Sequence, residues 1–387
     1  MSHTKPTLVR LHPGLRSALA LPLGLVLALS LGCGTAATQQ VAPRTAAAAA
    51  ATVYPAAAWE HIQTPESVGW SSAGLDAVRR QLSTMPTTGF VAVVGGRVLM
   101  EYGDLAAVSY LASVRKSILS MLYGIYVDRG AIDLDLTLAE LGIDDREGLS
   151  DREKQATIRH LLAARSGVYH AASNGGDDLA SAPPRGSQAP GEYYLYNNWD
   201  FNALGTIFAK LTGKSIFDAL EEELARPLGM QDFDRARHRL SGDTTRSQHL
   251  AYHMHLSTRD MARIGYLMLR EGNWAGRQIV PRAWVRESTR AITPVHEMNP
   301  PRRRNGRFGY GYLWWVFDGK AAEGVYEGAY TGLGAYGQHI TIVPKLDLVV
   351  AHKTRPGRGR SVSHEQYLEV LDLLIAAKCQ GACPGGR

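Results

Sequence analysis

The stretch 111-LASVRKSIL-119 places Ser113 and Lys116 three residues apart at the head of an apolar run. The apolar side chains that follow recur every three or four residues, which predicts a helix that begins near Ser113, ends before Gly130 and buries one face. Residues three apart lie on the same helix face, so the lysine amine can reach the serine hydroxyl. The same spacing occurs in 2-SHTK-5, and the pair therefore indicates chemistry only if other segments supply partners.

The chemistry that such a pair supports is nucleophilic catalysis. A serine hydroxyl is a weak nucleophile until a base removes its proton. Lys116 can be that base only if its amine is neutral, which requires desolvation, nearby cations or hydrogen bonds that lower its pKa. At a helix N-terminus the backbone N–H of Ser113 is free to stabilise an oxyanion, and the helix dipole favours negative charge. A solvated lysine on an ordinary helix is the alternative interpretation.

The order of helical and extended patterns along the 387 residues favours an α+β fold. A capped helix pattern at 70–85 is followed by a hairpin pattern, 89-GFVAVVGGRVLMEYG-103. Later helical patterns occupy 157–167, 200–213, 215–229, 257–272, 281–289 and 364–378. Later strand patterns occupy 308–319, 324–330, 338–344 and 347–353. This order predicts an antiparallel sheet built from both chain ends and flanked by helices, with a mostly helical region inserted.

Residues 1–32 have the pattern of an export signal. Three basic side chains precede the apolar segment 18-ALALPLGLVLALSLGC-33, which is too short and too interrupted for a good membrane span. Its end, 29-LSLGC-33, resembles a bacterial lipobox, in which Cys33 becomes the lipidated first residue and anchors the protein to a membrane. Leu31 is a less usual residue at that position, which leaves ordinary signal cleavage open. The pattern predicts an exported bacterial protein, periplasmic and membrane-anchored.

Behind this signal the sequence divides into three parts. Residues 33–58 are rich in Thr, Ala, Gln and Pro and lack a periodic apolar face, which predicts a flexible tether. Residues 59–378 carry the periodic patterns and form the predicted folded domain. The tail 379–387 holds Cys379 and Cys383, whose spacing suits a small terminal disulfide in an exported protein.

Charge gives little indication of a nucleic-acid partner. The net charge of +6 falls to +3 without the three basic residues of the signal, which leaves 39 Lys and Arg against 36 Asp and Glu. The clusters 302-RRR-304 and 355-RPGRGR-360 lack interleaved aromatic residues and a helical stripe. We expect solvated loops at both clusters and no nucleic-acid partner.

Several familiar catalytic and cofactor signatures are absent or lie in the wrong context. Neither Gly-x-Ser-x-Gly nor His-Glu-x-x-His occurs. The segment 332-GLGAYG-337 fits Gly-x-Gly-x-x-Gly, but it opens a strand pattern rather than a helix, which argues against a dinucleotide. His249, His253 and His255 lie close together without an acidic or Cys residue among them. We therefore expect neither a metal nor a cofactor.

A second short motif follows the Ser-Lys pair in the chain: Ser113-Val114-Arg115-Lys116 is followed by Tyr196-Asn197-Asn198. These two segments resemble the first box and the Tyr-x-Asn second box of the serine β-lactamase and penicillin-binding-protein superfamily. Between them, 157-TIRHLLAARSGV-168 is similar to the helix ahead of the active-site loop. The resemblance covers residues 59–378 and is closest to the class C-like branch of β-lactamase-related hydrolases, esterases and 6-aminohexanoate-dimer hydrolases. It implies the β-lactamase/transpeptidase-like fold.

The resemblance also implies roles for four residues. Ser113 would be the acylated nucleophile, and Lys116 the base or proton relay. Tyr196 would pass the proton to the leaving group and activate the deacylating water, since phenol and amine in one network tune each other's pKa. Asn198 would hold Lys116 or the substrate amide, and a helix N-cap is its alternative role.

The third box departs from the family pattern, which is Lys-Thr-Gly or His-x-Gly. The segment 353-KTR-355 lacks the glycine and lies on the following strand pattern. Counting back from that strand favours Gly332-Leu333-Gly334 over 330-YTG-332, so the cationic side chain is missing. Gly334 would still allow close backbone approach, and the N–H of Ala335 would join that of Ser113 as the second oxyanion donor.

Candidates for the wall of the substrate pocket come from two regions. Tyr169 and His170 precede a long Gly- and Pro-rich loop at 173–192, which is longer than a connection needs. Tyr336 and Gln338 follow the third box. Packing within the core is the alternative role for each aromatic residue.

The resemblance implies a serine hydrolase that cleaves an amide or ester bond through an acyl-enzyme on Ser113. Esterase, oligomer amidase, β-lactamase and D-aminopeptidase or carboxypeptidase-like activities all fit, and the missing cation favours the first two. The expected partners are a small ester, amide or peptide-like substrate and, through the lipid anchor, a membrane. The alternative is a non-catalytic ligand-binding or sensor lipoprotein on this fold, but such proteins usually lose a catalytic residue.

Overall fold

The computed structural model describes residues 52–381 and residue 383. The predicted signal at 1–32, Cys33 and most of the predicted tether lie outside these residues. Among the described helices, none combines the length and the apolar character needed to cross a membrane.

Thirteen strands and nine α-helices make up the described chain. The strands are β1 Gly89–Val94, β2 Arg97–Gly103, β3 Ser109–Tyr110, β4 Arg239–Ser241, β5 Ala251–His253, β6 His255–Leu256, β7 Asn273–Trp274, β8 Arg277–Gln278, β9 Phe308–Tyr310, β10 Trp315–Phe317, β11 Tyr330–Gly334, β12 Gln338–Val343 and β13 Leu348–Lys353. The helices are α1 Ser72–Ser83, α2 Val114–Asp128, α3 Ile158–Leu162, α4 Asn198–Thr212, α5 Ile216–Leu220, α6 Arg226–Leu228, α7 Thr258–Leu269, α8 Arg282–Ser288 and α9 His364–Ala376.

One seven-stranded antiparallel sheet organises the molecule, in the order β2-β1-β13-β12-β11-β10-β9. The hairpin β1–β2 from the N-terminal part joins β13 from the C-terminal part, with Gly89 opposite Lys353 and Val94 opposite Leu348. The predicted α+β architecture, with a sheet built from both chain ends and a helical region inserted between them, is confirmed.

The sheet has a core on each face because side chains alternate along its strands. On β1, Val91 and Val93 belong to a large core that includes α2, α4 and α7. Phe90 and Ala92 point the other way, into a smaller core with α1 and α9. The result is three layers, with helices on both sides of the sheet.

Helix α2 lies inside the larger core. Every residue from Val114 to Tyr126 is buried, which corrects the prediction of a helix with one buried face. Burial on all sides forces its polar side chains to find partners within the protein. Ser117, for example, donates to the Leu313 carbonyl at 2.7 Å. The side chains of Arg115 and Lys116 are likewise shielded from solvent, which disfavours the charged form of the Lys116 amine.

Two further boundaries differ from the sequence-based prediction. The strand expected at 324–330 starts only at Tyr330, because Gly324 and Gly328 take φ angles of 66° and 72° that interrupt an extended chain. At the N-terminal side, the carbonyls of Ala56 and Ala57 accept from Arg263 at 2.9 and 3.2 Å. The end of the predicted tether is thus fastened to α7, and the folded domain extends before Trp59.

The C-terminal tail carries the expected covalent link. Cys379 and Cys383 form a disulfide with a Cα–Cα distance of 5.3 Å. It closes a short loop directly after α9 and Lys378.

Candidate active site

Ser113 is presented by a tight turn at the start of α2. Ala112 has a φ of 47°, a left-handed value that is unusual for a residue with a side chain, and it is buried. The turn is closed by a hydrogen bond from the Val114 N–H to the Leu111 carbonyl at 3.2 Å. Backbone conformations of this kind cost free energy and cluster at functional sites. Ser113 occupies the N-cap position, and its hydroxyl makes no capping bond with the helix.

Lys116 contacts side chains of both the Ser-x-x-Lys motif on α2 and the Tyr-x-Asn motif at the start of α4. Its Nζ lies 3.0 Å from Ser113 Oγ, 2.5 Å from Tyr196 OH and 2.7 Å from Asn198 Oδ1. The Asn198 oxygen can only accept, so it fixes one N–H of the lysine. A neutral amine has one more N–H and one lone pair for the two hydroxyls. One of these hydroxyls must then donate its proton toward the lysine nitrogen.

Burial sets the protonation states of this cluster. Lys116 is 1% exposed, and burial, assisted by the charge of Arg115, holds the pKa of its amine well below the ordinary value. Burial raises the pKa of Tyr196 to about 12, against the opposing effects of a hydrogen bond with Ser113 and the charges of Arg115 and Arg303. The lowered pKa of Lys116 favours its neutral amine, and the raised pKa of Tyr196 keeps the phenol protonated. That pairing can accept a proton from Ser113 and donate another from Tyr196.

The second box is fixed by the first turn of α4. Asn197 is the N-cap: its Oδ1 accepts from the Trp199 N–H at 3.0 Å, and its Nδ2 donates to the Val168 carbonyl at 2.6 Å. Asn198 is therefore free of the capping role considered for it. Its Nδ2 instead donates to the Gly175 carbonyl at 2.9 Å, which leaves the oxygen for Lys116.

Strand β11 forms the opposite edge of the site. A Cβ added to Gly334 would lie 2.7 Å from the Leu111 carbonyl oxygen and 3.0 Å from the Ser113 nitrogen, so only glycine fits there. Gly332 is deeper, beside Ser117. Within the described chain, no protein acceptor takes a hydrogen bond from the N–H of Ser113 or of Ala335. Both residues line one cleft, which gives two unengaged donors beside the serine hydroxyl.

The cleft around Ser113 has a volume of about 570 Å³. Its apolar wall consists of Met298, Phe308, Trp315, Leu333 and Leu368. Its charged side chains are Arg302, Arg303, Arg307, Glu365 and Glu369. The site is therefore an open groove with aromatic and aliphatic surface next to the nucleophile candidate.

Two residues of the arginine cluster 302–304, Arg302 and Arg303, line this groove. The cluster forms a 3₁₀ turn rather than an open loop, while Arg302 and Arg304 are exposed as expected. Arg302 and Arg303 both bind Asp178 at 2.6 Å. The Arg303 guanidinium also lies 5.1 Å from the Trp315 ring and 5.8 Å from the Tyr196 ring. Sequence reasoning missed this pair because nothing in the local pattern connects an arginine to an aspartate so far away in the chain.

The predicted wall residues are placed elsewhere. His170 is buried and contacts Glu153 at 3.2 Å, and Tyr169 has a buried hydroxyl with no partner in the described chain. Neither is among the residues that line the cleft. Tyr336 sits in the turn after β11 and is 45% exposed, and the buried Gln338 donates to the Thr354 carbonyl at 2.6 Å. From the loop at 173–192, Gly176 reaches the cleft wall.

The remaining sequence candidates have other roles. His249 contacts Thr206 Oγ1 at 2.9 Å and the Asp144 carbonyl at 3.0 Å. Between residues 52 and 381, no group of three or more His, Cys, Asp and Glu side chains is arranged to hold a metal ion. Lys353, in the segment that imitates the third box, is buried away from the cleft and donates to the Ser109 carbonyl at 2.8 Å.

Comparisons with known proteins agree with this fold. The Beta-lactamase family model matches residues 75–362. An uncharacterized protein of Alkalihalophilus pseudofirmus is 26% identical over 269 residues, which cover 62% of this chain and 71% of the relative.

Solved structures give the same picture of the fold. A Bacillus anthracis protein provisionally assigned as a 6-aminohexanoate-dimer hydrolase aligns with a TM-score of 0.61 at 20% identity, over 82% of this chain and 86% of that one. EstCE1, a hydrolase with promiscuous acyltransferase activity, aligns with a TM-score of 0.59 at 16% identity, over 80% and 99%. Because the family model spans well over half of the sequence and the fold agrees, the chain belongs to the β-lactamase family.

Proposed function

We propose that the protein is an exported serine hydrolase that cleaves an amide or ester bond through an acyl-enzyme on Ser113. Membership of the β-lactamase family supports a serine hydrolase of the β-lactamase and esterase kind. The observation that carries the proposal is the contact of one buried lysine, Lys116, with the hydroxyls of both Ser113 and Tyr196.

The first half-reaction acylates the serine. Ser113 Oγ attacks the substrate carbonyl carbon while its proton moves to Lys116 Nζ. The carbonyl electron pair becomes an oxyanion, which the N–H groups of Ser113 and Ala335 stabilise. The tetrahedral intermediate then expels the alcohol or amine, which takes the phenolic proton of Tyr196. Lys116 returns its extra proton to the tyrosine oxygen, and both groups regain their starting states.

Water completes the turnover by the same route. It attacks the acyl carbon, and its proton passes to Lys116 through the hydrogen-bonded hydroxyl of Tyr196. Ser113 leaves as the alcohol by taking that proton back, and a carboxylic acid is released. The two hydroxyls and the amine carry every proton transfer of the proposed cycle, which therefore needs no metal or cofactor.

The cleft favours an ester or linear amide with an apolar part next to the scissile bond. Phe308, Trp315 and Leu333 supply that apolar surface. Gly332 carries no cation for a substrate carboxylate, and the charge of Arg303 is shared with Asp178. We therefore place esters and oligomeric amides ahead of β-lactams as substrates.

The decisive experiment compares Ser113→Ala with a control on the same helix. Ser120 is also buried on α2, and its hydroxyl has no partner in the described chain, so Ser120→Ala makes the same change away from the site. We expect Ser113→Ala to lower kcat/KM for p-nitrophenyl esters by about 10³-fold or more, with Ser120→Ala close to wild type. Intact-mass spectrometry should show one fluorophosphonate adduct on the wild type and none on Ser113→Ala.

Two outcomes would overturn the proposal. Full hydrolysis by Ser113→Ala would exclude the acyl-enzyme at that residue. A wild type that hydrolyses nothing and takes up no adduct would favour the non-catalytic sensor. A panel of short esters, nitrocefin, D-Ala-D-Ala peptides and linear amides ranks the substrate classes.

We also propose export and lipid anchoring through Cys33, on the strength of the N-terminal sequence pattern alone. Cell fractionation of the native protein and of Cys33→Ser tests this. The native protein is expected in the membrane fraction, and Cys33→Ser in the soluble exported or uncleaved fraction. Equal distributions would indicate ordinary signal cleavage.

A further inference from the structure

A second depression, with a volume of about 490 Å³, lies around the small strand pairs β3–β6 and β4–β5. It shares no lining residue with the cleft that contains Ser113. The side chains that matter for its chemistry are Tyr110, Arg239, Ser241, His253, His255 and Arg355. No carboxylate lines it, so among the described residues its character is basic and aromatic.

Strand pairing builds this depression from separate parts of the chain. Arg239 on β4 is directly opposite His253 on β5, and Tyr110 on β3 is opposite His255 on β6. The Tyr110 ring lies 5.1 Å from the His253 ring and 5.6 Å from the His255 ring. Directly opposed residues point to the same face of a strand pair, so guanidinium and imidazoles converge.

Among the residues that the structure describes, the guanidiniums of Arg239 and Arg355 differ from those of nearby arginines because neither has an acidic partner. Arg235 and Arg237, in the same segment as Arg239, pair with Asp218 and Asp234 at 2.6 and 3.2 Å. Within the described chain, neither Arg239 nor Arg355 forms an ion pair. Two cations therefore face one depression without compensation.

The charge of Arg239 also acts on the buried side chain of His253. The pKa of His253 is lowered to about 4, first by burial and then by the charges of Arg115, Arg239 and His255. Arg115 is 1% exposed, and its Nε and Nη2 have no partner in the described residues. A buried guanidinium without a carboxylate is costly, and an anion nearby would offset that cost.

We propose that this depression binds an oxyanion, with a phosphoryl group as the chemistry that fits best. Guanidinium forks match the oxygens of phosphate bidentately. Two arginines, two imidazoles and the Ser241 hydroxyl offer more donors than one carboxylate can use. The volume leaves room for an organic group, so the ligand is inorganic phosphate or a phosphate monoester.

The test is calorimetric titration of the purified protein with inorganic phosphate, phenyl phosphate and acetate at matched ionic strength. The variants are Arg239→Gln, Arg355→Gln and their combination, all at exposed positions. Arg277→Gln is the matched control, because Arg277 is exposed on β8, lies outside the depression and has no ion pair in the described chain.

We expect saturable phosphate binding by the wild type and by Arg277→Gln. Each single variant should bind about 10-fold more weakly, as the loss of one charge-assisted hydrogen bond predicts, and the double variant should not bind. Tighter binding of phenyl phosphate than of inorganic phosphate would identify the monoester as the ligand class.

Three results would overturn the proposal: no saturable binding up to about 10 mM phosphate, unchanged binding by the double variant, or acetate binding as tight as phosphate. The titration is repeated on Ser113→Ala. Binding by that variant separates this site from hydrolysis, so either proposal can fail without the other.

Discussion

Two lysines are buried to the same degree in this molecule, each 1% exposed, and they lie in different chemical surroundings. Lys116 on α2 faces the hydroxyls of Ser113 and Tyr196, whereas Lys353 at the end of β13 faces the backbone carbonyls of Ser109 and Leu256. Burial lowers the pKa of both amines, that of Lys353 to about 7. A hydroxyl can exchange a proton with an amine, and a carbonyl cannot.

The comparison shows that a depressed lysine pKa does not by itself indicate a catalytic base. Lys353 also lies in 353-KTR-355, which resembles the family's third box but lacks its glycine. Neither that partial motif nor the lowered pKa identifies a base there. The partners of the nitrogen decide between a structural role and a catalytic one.

The largest expected effect separates the two lysines. Lys116→Met should lower kcat/KM for the best ester by about 10³-fold, because the general base is lost. Lys353→Met should change it only a few-fold, since that amine does not touch the cleft. Steady-state kinetics on both variants, with circular dichroism to verify folding, checks this. Equal losses would mean that the two lysines do not differ in role.

Tyr196→Phe should give the next largest effect, a loss of about 10²-fold in kcat. The substitution removes the proton that protonates the leaving group and retains ring packing against Phe201 and Trp315, whose centroids are 4.9 and 5.3 Å away. Tyr194→Phe is the control, because the Tyr194 hydroxyl is buried with no partner in the described chain. If both variants behave alike, the phenol has no special part in proton transfer.

Lys353 should instead matter for stability. Lys353→Met leaves two buried carbonyls unpaired and should lower the free energy of unfolding by about 1–3 kcal/mol. The free energy of unfolding of Lys116→Met is measured in parallel, because Lys116 is the other buried amine. Chemical denaturation at a pH above 10 measures the effect on the folded state with its neutral amine. A Lys353→Met protein as stable as wild type there would show that these hydrogen bonds contribute nothing.

The pH dependence of stability provides a finer test of Lys353. Its folded-state pKa is about 7 and its unfolded value is the ordinary 10.5, so the unfolded chain binds more protons between these values. The stability that this residue supports therefore rises as pH increases from about 7 to 10.5, and it is lost as pH falls toward 7. The difference between wild type and Lys353→Met should grow with pH over that window. A constant difference would contradict a buried neutral amine.

The smallest expected effect is a shift in the acid limb of the pH profile of kcat/KM. Lys116 must be neutral to act as the base, so kcat/KM should rise with pH through its lowered pKa. Arg115 contributes to that lowering, so Arg115→Met should move the acid limb toward higher pH. The matched change Arg263→Met, at a buried arginine on α7, should leave the limb in place. A limb that is the same in all three proteins would exclude Lys116 as the titrating group.

Much of the fold followed from local patterns. The hairpin β1–β2, helix α2 and the strands β12 and β13 were predicted from periodicity and turn residues. The prediction of a strand at 324–330 was wrong. Its aromatic and β-branched residues favoured an extended chain, but Gly324 and Gly328 turn the backbone there.

The site was predictable where its parts are close in sequence. Ser113 and Lys116 share one helical turn, and Tyr196 and Asn198 share one box, so spacing and resemblance predicted them as candidates. The structure brings their side chains together around Lys116. His170 was misassigned because the sequence does not show that Glu153 takes it into the interior. Arg303 was missed because its partner Asp178 is 125 residues away.

By itself, the sequence determined that a serine and a lysine stand on one helix face, since helical spacing depends only on neighbouring residues. It also determined the α+β order of the chain. Only the tertiary structure decided which lysine meets hydroxyls and which meets carbonyls. Those contacts join residues such as Lys353 and Ser109, 244 positions apart, and they depend on sheet pairing and burial rather than on any local pattern.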